Sequence, residues 1–229
     1  DTAYTHQAVV LTDDSVTINT GKILAQQIDR ADLAQQTFVK QMELASNQTV
    51  LLNEAIETAM LAEHAQWTNF DNASIGGAAG NITVSESNID DIIRGIKREI
   101  REANGEALMD RNGVFIVWRP ADFEKLEAYA QAQGFSTADG ALKDGTSQGF
   151  KYMGVEHYSS NKITAGHLFG GVKKVFHLGI VKSTYGQVVV DSEPATADGA
   201  LSAIAVIMRV DFKFEKKKKT TPVLFDILV

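Results

Sequence analysis

Five groups of residues have types and spacings that chemistry could use. Gly145-Thr146-Ser147-Gln148-Gly149 spells the G-x-S-x-G nucleophile elbow, in which a strand delivers the serine and a following helix aims its amides at an oxyanion. Here Ala141-Leu142-Lys143-Asp144 does not read as a strand, residues from Phe150 onward do, and between Ser147 and His177 only Glu156 offers the acid of a triad. A turn-rich loop is therefore expected, and Ser147 stands as the nucleophile of a hydrolase alternative. Gly76-Gly77-Ala78-Ala79-Gly80 has the glycine density of a phosphate cradle, but no Lys-Ser/Thr follows and no helix begins there to hold an anion. The five histidines (His6, His64, His157, His167, His177) show no i,i+4 pair or other ligand spacing, so no metal site and no cofactor are expected. Asp13-Asp14 falls in a turn region and Asp90-Asp91 opens a helix, where the helix dipole accounts for it without acid–base work. Lys216, Lys217, Lys218 and Lys219 form the one concentrated positive patch, read as a solvated turn with an interior or partner contact as the functional alternative. None of these groups assembles into a catalytic constellation, and no enzyme is expected.

The elements that must position such groups occupy 229 residues, 44% hydrophobic and 22% charged, with 18 Gly and 3 Pro. That composition excludes a disordered or collagen-like chain, and no apolar run approaches the roughly 20 residues of a membrane-spanning helix. The absence of cysteine removes disulfide frameworks, thiolate zinc sites and Cys nucleophiles. A net charge of -7 makes the whole surface a poor wrapper of nucleic acid. No basic-then-apolar segment follows Asp1, so no signal peptide is expected, and a processed or disordered start is. Sequons at Asn47, Asn72 and Asn81 are attributed to chance, since Asn47 falls mid-helix.

Along the chain, Val16-Thr17-Ile18 and Ile23-Leu24-Ala25 flank Thr20-Gly21 and predict a β-hairpin. Phe38, Met42, Ala45, Thr49, Leu52, Ile56 and Met60 fall on one helical face, with Leu44, Leu51 and Ala55 as a flanking stripe. With Asp32 and Gln35 as a capping box and no Gly or Pro in residues 33–64, this predicts one helix of about 45 Å packed on the C-terminal strands. A second helix runs through Ile89, Ile92, Ile93, Ile96, Ile100 and Ala103, capped by Ser87 and ended by Asn104-Gly105. A buried strand at 114–118 and a helix opened by Pro120 and stopped near Gly134 complete a small α/β layer. Residues 150–155, 175–181, 187–190, 203–214 and 223–229 read as strands, the last two as a terminal hairpin whose turn carries the lysines.

This order of elements resembles the major capsid proteins of tailed bacteriophages, the Hong Kong-97 fold, over essentially the whole chain. Val16-Thr17-Ile18-Asn19-Thr20-Gly21-Lys22 through Ile28-Asp29-Arg30-Ala31-Asp32 is similar to the family's extended loop leading into its spine helix, whose place residues 33–64 take. Residues 89–104, the strand at 114–118 and Arg119-Pro120-Ala121-Asp122-Phe123 resemble the start of its axial domain. Gly149-Phe150-Lys151-Tyr152-Met153-Gly154-Val155 with Ser159-Ser160-Asn161, His167-Leu168-Phe169-Gly170-Gly171-Val172-Lys173-Lys174 and Ser183-Thr184-Tyr185-Gly186 are similar to the segments that follow.

The resemblance implies an α+β fold divided into an N-terminal arm (1–14), an extended-loop hairpin (15–32), a peripheral domain with the spine helix (33–84 and 196–229) and an axial domain (85–195). It implies a structural protein of the virion, assembled in the host cytoplasm into hexamers and pentamers of an icosahedral head. The head would enclose double-stranded DNA without reading its sequence, with scaffolding, portal or decoration proteins as further partners and no membrane. Val16, Ile18, Lys22, Ile23 and Leu24 are then the candidate inter-subunit contacts, and the four lysines at 216–219 the candidate interior contact. Physical expectation agrees: a tile needs an elongated body held by contacts between chains, and an acidic container does not grip its DNA. An encapsulin-like compartment shell shares the fold and is the leading alternative. The hydrolase using Ser147 and a DNA-binding module using the lysine run stand behind it.

Overall fold

The spacing of five isoleucines decides the centre of the molecule. Ile89, Ile92, Ile93, Ile96 and Ile100 share one helical face, and every one is fully buried. The computed structural model describes residues 17–29, 39–133, 149–181, 187–191, 203–216 and 223–229. In chain order the elements are β1 (Thr20–Asp29), α1 (Val39–Ala62), β2 (Thr68–Phe70), α2 (Ile89–Glu102), α3 (Glu106–Asn112), β3 (Val114–Trp118) and α4 (Pro120–Ala132). There follow β4 (Gly149–Tyr152), β5 (Val155–Ser159), β6 (His167–Val172), β7 (Phe176–Ile180), β8 (Gln187–Asp191), β9 (Ala203–Lys216) and β10 (Leu224–Leu228).

The isoleucine face of α2 covers a six-stranded sheet of order β2-β10-β6-β3-β5-β4. β3 and β5 run parallel, as do β2 and β10, and the remaining pairs are antiparallel. β3, with Val114, Ile116, Val117 and Trp118 buried, is the apolar run of an interior strand. α2 begins after Asn88 rather than at a Ser87 cap: the Asn88 Nδ2 donates to the Thr83 carbonyl at 2.9 Å and its Oδ1 accepts from the Ser85 amide at 2.9 Å. Its end is as expected, with Asn104 in the left-handed region and the Gly105 amide bonded to the Ile100 carbonyl at 2.8 Å. Gly171 of β6 has φ 149°, and a Cβ there would lie 2.2 Å from the Val223 carbonyl oxygen, so only glycine lets β10 enter the sheet.

A second sheet is built on the long strand β9. β1 pairs with it antiparallel from Thr20↔Phe212 to Asp29↔Ala203. β7 and β8 share its other edge end to end, at Phe176↔Lys216 through Ile180↔Phe212 and Gln187↔Arg209 through Asp191↔Ala205. α1 lies on this sheet through Leu52, Ile56, Ala59 and Met60, which meet Val210, Phe212, Leu24 and Ile180. Its 24 described residues span roughly 36 Å.

Four expectations change. The hairpin at 15–28 is not formed: Thr20 and Gly21 begin a continuous strand, because β9 offers ten residues of ladder that a two-stranded hairpin cannot match. The terminal hairpin is not formed either, since β9 and β10 lie in different sheets. That exchange also crosses the expected division of the chain: β10, from 196–229, joins the six-stranded sheet, while β7 and β8, from 85–195, join β9. Finally, Leu51 is 45% exposed and Thr49 is exposed, because Leu52, Ile56, Ala59 and Met60 already fill the face α1 turns to its sheet. Residues 33–38 of the expected helix lie outside the described residues.

Candidate functional site

The candidate contacts near the N-terminus separate into two kinds. The Ile18 side chain lies 3.5 Å from where a Cβ on Gly179 would stand, and Leu24 packs against the Leu52–Phe212 cluster. These two serve the chain's own core. Lys22 is exposed, and Ile23 is 60% exposed on β1, an edge strand among the described residues. With Val50, Leu51 and Leu178, Ile23 is one of the large apolar side chains that this chain leaves in water. Val16, Asp13, Asp14, His6, Ser147 and Lys217, Lys218 and Lys219 lie outside the described residues. Lys216 ends β9 opposite Phe176.

Between α1 and the six-stranded sheet is an open groove of about 500 Å³, lined by Glu57, Met60, Phe115, Val117, Tyr158 and Ser160 among others. Ser160 Oγ donates to Glu57 Oε1 at 2.7 Å, and Lys162 Nζ donates to Glu54 Oε2 at 3.0 Å, tying the loop after β5 to the helix. On the sheet's rim Tyr158 OH donates to Glu156 at 2.5 Å and Lys173 pairs with the same carboxylate, and these two hydrogen bonds hold the Glu156 carboxyl below its ordinary range. Glu156, the acid left for the hydrolase alternative, is thus committed to a surface ion pair.

The paired carboxylates and the glycine run take structural roles. Asp90 sits in the first turn of α2, accepts from Tyr152 OH at 3.1 Å and pairs with Arg94 at 3.0 Å. The glycine loop closes on itself: the Asn72 amide bonds the Gly80 carbonyl at 2.9 Å and Asn72 Nδ2 the Ala78 carbonyl at 3.0 Å. The following Ile82 and Val84 are buried rather than starting a helix. His157 is a fully buried core histidine whose Nδ1 accepts from Trp118 Nε1 at 2.9 Å, while its Nε2 faces the Tyr152 carbonyl at 3.3 Å. Burial pulls its pKa down to about 4, so the ring is neutral with its proton on Nε2.

Two other histidines meet where chain spacing gave no sign of it. His64, in the short 3-10 turn after α1, and His167, at the start of β6, both point Nδ1 at Asp226 of β10, at 3.1 and 2.8 Å. Their rings lie 4.3 Å apart, centre to centre. The three residues are separated by 103 and 59 positions, and a search by local ligand spacing cannot pair them. Alternation within β10 was the available signal, since it places Asp226 inside an otherwise apolar strand.

No protein-family model matches this sequence, and no curated protein matches it either. Solved structures do match. A structure from Mycobacterium phage Che8 superposes with a TM-score of 0.60 at 13% identity, covering 94% of this chain and 76% of that one. The capsid of Ralstonia phage GP4 gives 0.59 at 7% identity, covering 91% and 73%. The mature capsid of bacteriophage PhiM1 gives 0.54 at 12% identity, covering 98% and 78%. The chain has a phage capsid fold. Its mixture of helix and sheet agrees with the α+β class.

Proposed function

We propose that the chain is the major capsid subunit of a tailed phage, assembling as hexamers and pentamers into an icosahedral head around double-stranded DNA. The observation that carries this reading is likeness to phage capsid structures along 91–98% of the chain. In Hong Kong-97 terms, α1 is the spine helix and the sheet of β1, β7, β8 and β9 is the peripheral domain. The six-stranded sheet with α2, α3 and α4 is the axial domain, and residues 1–14 are the arm. The virion is the site of action and the host cytoplasm the site of assembly, with scaffolding, portal or decoration proteins as further partners. DNA is enclosed without sequence readout, in keeping with a net charge of -7.

A ring of five or six copies requires heterologous contacts, in which one patch meets a different patch on the neighbour. Lys22 and Ile23, exposed on β1, are the proposed contacts on one side. The lysines at 216–219 are the proposed contact with the interior or with a neighbour. The experiment is sedimentation velocity on the purified full chain and on Ile23→Asp. Fast-sedimenting particles from the wild type, lost or reduced in a variant with native circular dichroism, are expected. A wild type that stays monomeric under all assembly conditions overturns the reading. Particles that carry protein in place of nuclease-protected DNA would assign the shell to a compartment.

A further inference from the structure

We propose that His64, His167 and Asp226 form a binding site for a divalent transition-metal ion of the zinc type, which clips the end of the long helix to the six-stranded sheet. The inference stands apart from the capsid reading, since every residue comes from one chain. β6 and β10 are antiparallel neighbours with His167 opposite Leu228, so Asp226 is the diagonal neighbour of His167 on the same face. The 3-10 turn that ends α1 brings His64 over the same spot.

The donor set is that of a metal centre. Imidazole nitrogen and carboxylate oxygen suit zinc, cobalt and nickel, and two imidazoles with one carboxylate leave open positions for water. The three ligand atoms all lie within 4.8 Å of one another. Asp226 Oδ2 is 3.1 Å from His64 Nδ1, and Asp226 Oδ1 is 2.8 Å from His167 Nδ1. Bonds of about 2.0–2.2 Å at tetrahedral angles set neighbouring ligand atoms roughly 3.4 Å apart, so the two carboxylate–imidazole distances, 3.1 and 2.8 Å, need only widen to admit an ion.

Two further features point to a cation. The Asp226 side chain is 4% exposed, yet among the described residues its ion-pair partners are the two histidines alone, with no lysine or arginine. A buried carboxylate calls for a positive partner, and a divalent ion brings two positive charges to one point beside it. Exposure rises from that floor to 14% at His64 and 25% at His167, which leaves a route in from solvent. The second nitrogen of His64 is also held, with Nε2 3.1 Å from Thr164 Oγ1. With an ion on Nδ1, the ring carries its proton on Nε2, and Thr164 Oγ1 accepts it. Such an outer partner orients a ligating histidine.

The test uses the untagged full chain, stripped with a chelator and titrated with Co²⁺ and then Zn²⁺. One Co²⁺ per chain, a visible d–d absorption displaced by Zn²⁺, and a melting temperature raised by the metal are expected. His64→Gln and His167→Gln should abolish uptake, and Thr164→Val should weaken it by about 10–100-fold. Imidazole NMR signals of the wild type give a readout that needs no variant to fold: those of two histidines, and no others, should shift on binding. Substoichiometric uptake by the wild type, uptake that survives both glutamine variants, or shifts at other histidines would each overturn the site.

Discussion

Ser160 Oγ donates a 2.7 Å hydrogen bond to Glu57 Oε1 and so joins the loop after β5 to the C-terminal part of α1. The neighbouring Lys162–Glu54 pair spans the same gap at 3.0 Å as an ion pair, with side chains 32% and 46% exposed. Glu57→Ala should therefore cost about 1 kcal/mol, and Glu54→Ala less, at about 0.2–1 kcal/mol. Urea unfolding at low and high salt separates them, since the loss at Glu54 should shrink as salt rises.

Leu52 is 1% exposed against Val210 and Phe212, while the adjacent Leu51 is 45% exposed. Leu52→Ala should destabilise the chain by about 2–5 kcal/mol, and Leu52→Asp by more, because it leaves a charge in the cluster. Leu51→Ala should fall within about 0.5 kcal/mol of the wild type. Equal losses at the two positions would show that the helix is rotated relative to its sheet.

The helices were legible because their partners are a face, and a face is written in local spacing. Ile89 through Ile100 and the Pro120 start could be read off directly, as could the β-rich character of 114–118. Strand partners were not legible, since the period of 2 says which side a residue faces and nothing about which strand lies beside it. Thr20-Gly21 looked like a turn for that reason, and β9 and β10, close in sequence, were joined into a hairpin that the two sheets divide between them. The same limit hid the His64–His167–Asp226 cluster, whose members meet only through that topology.

His157 is buried neutral, with its pKa lowered from 6.5 to about 4, first by burial and further by the charge of Lys97, against the Tyr152 carbonyl bond. The unfolded chain binds the proton more readily, so stability is complete above about pH 6.5 and is lost as pH falls toward 4. The shift corresponds to roughly 3 kcal/mol. His157→Gln, which keeps an acceptor for Trp118, should lose less stability than the wild type between pH 6.5 and 4, measured as the change in urea midpoint. Parallel pH profiles would contradict the neutral buried ring.

Gly95 lies on α2 where a Cβ would stand 2.7 Å from Phe70 Cζ and 3.3 Å from Ile75 Cγ2. Alanine improves helix propensity by about 1 kcal/mol but overpacks this contact at a cost of about 1–3 kcal/mol. Gly95→Ala is expected to melt lower than the wild type, and a higher melting temperature would mean that Phe70 has room to move.

Electron microscopy of the purified full chain under assembly conditions tests the capsid reading most directly. Closed shells built of five- and six-fold rings, with each subunit's density fitted by the two sheets and α1 described above, are the expected result. A chain that remains single, or stops at a small closed oligomer with no shells in any condition, would contradict it.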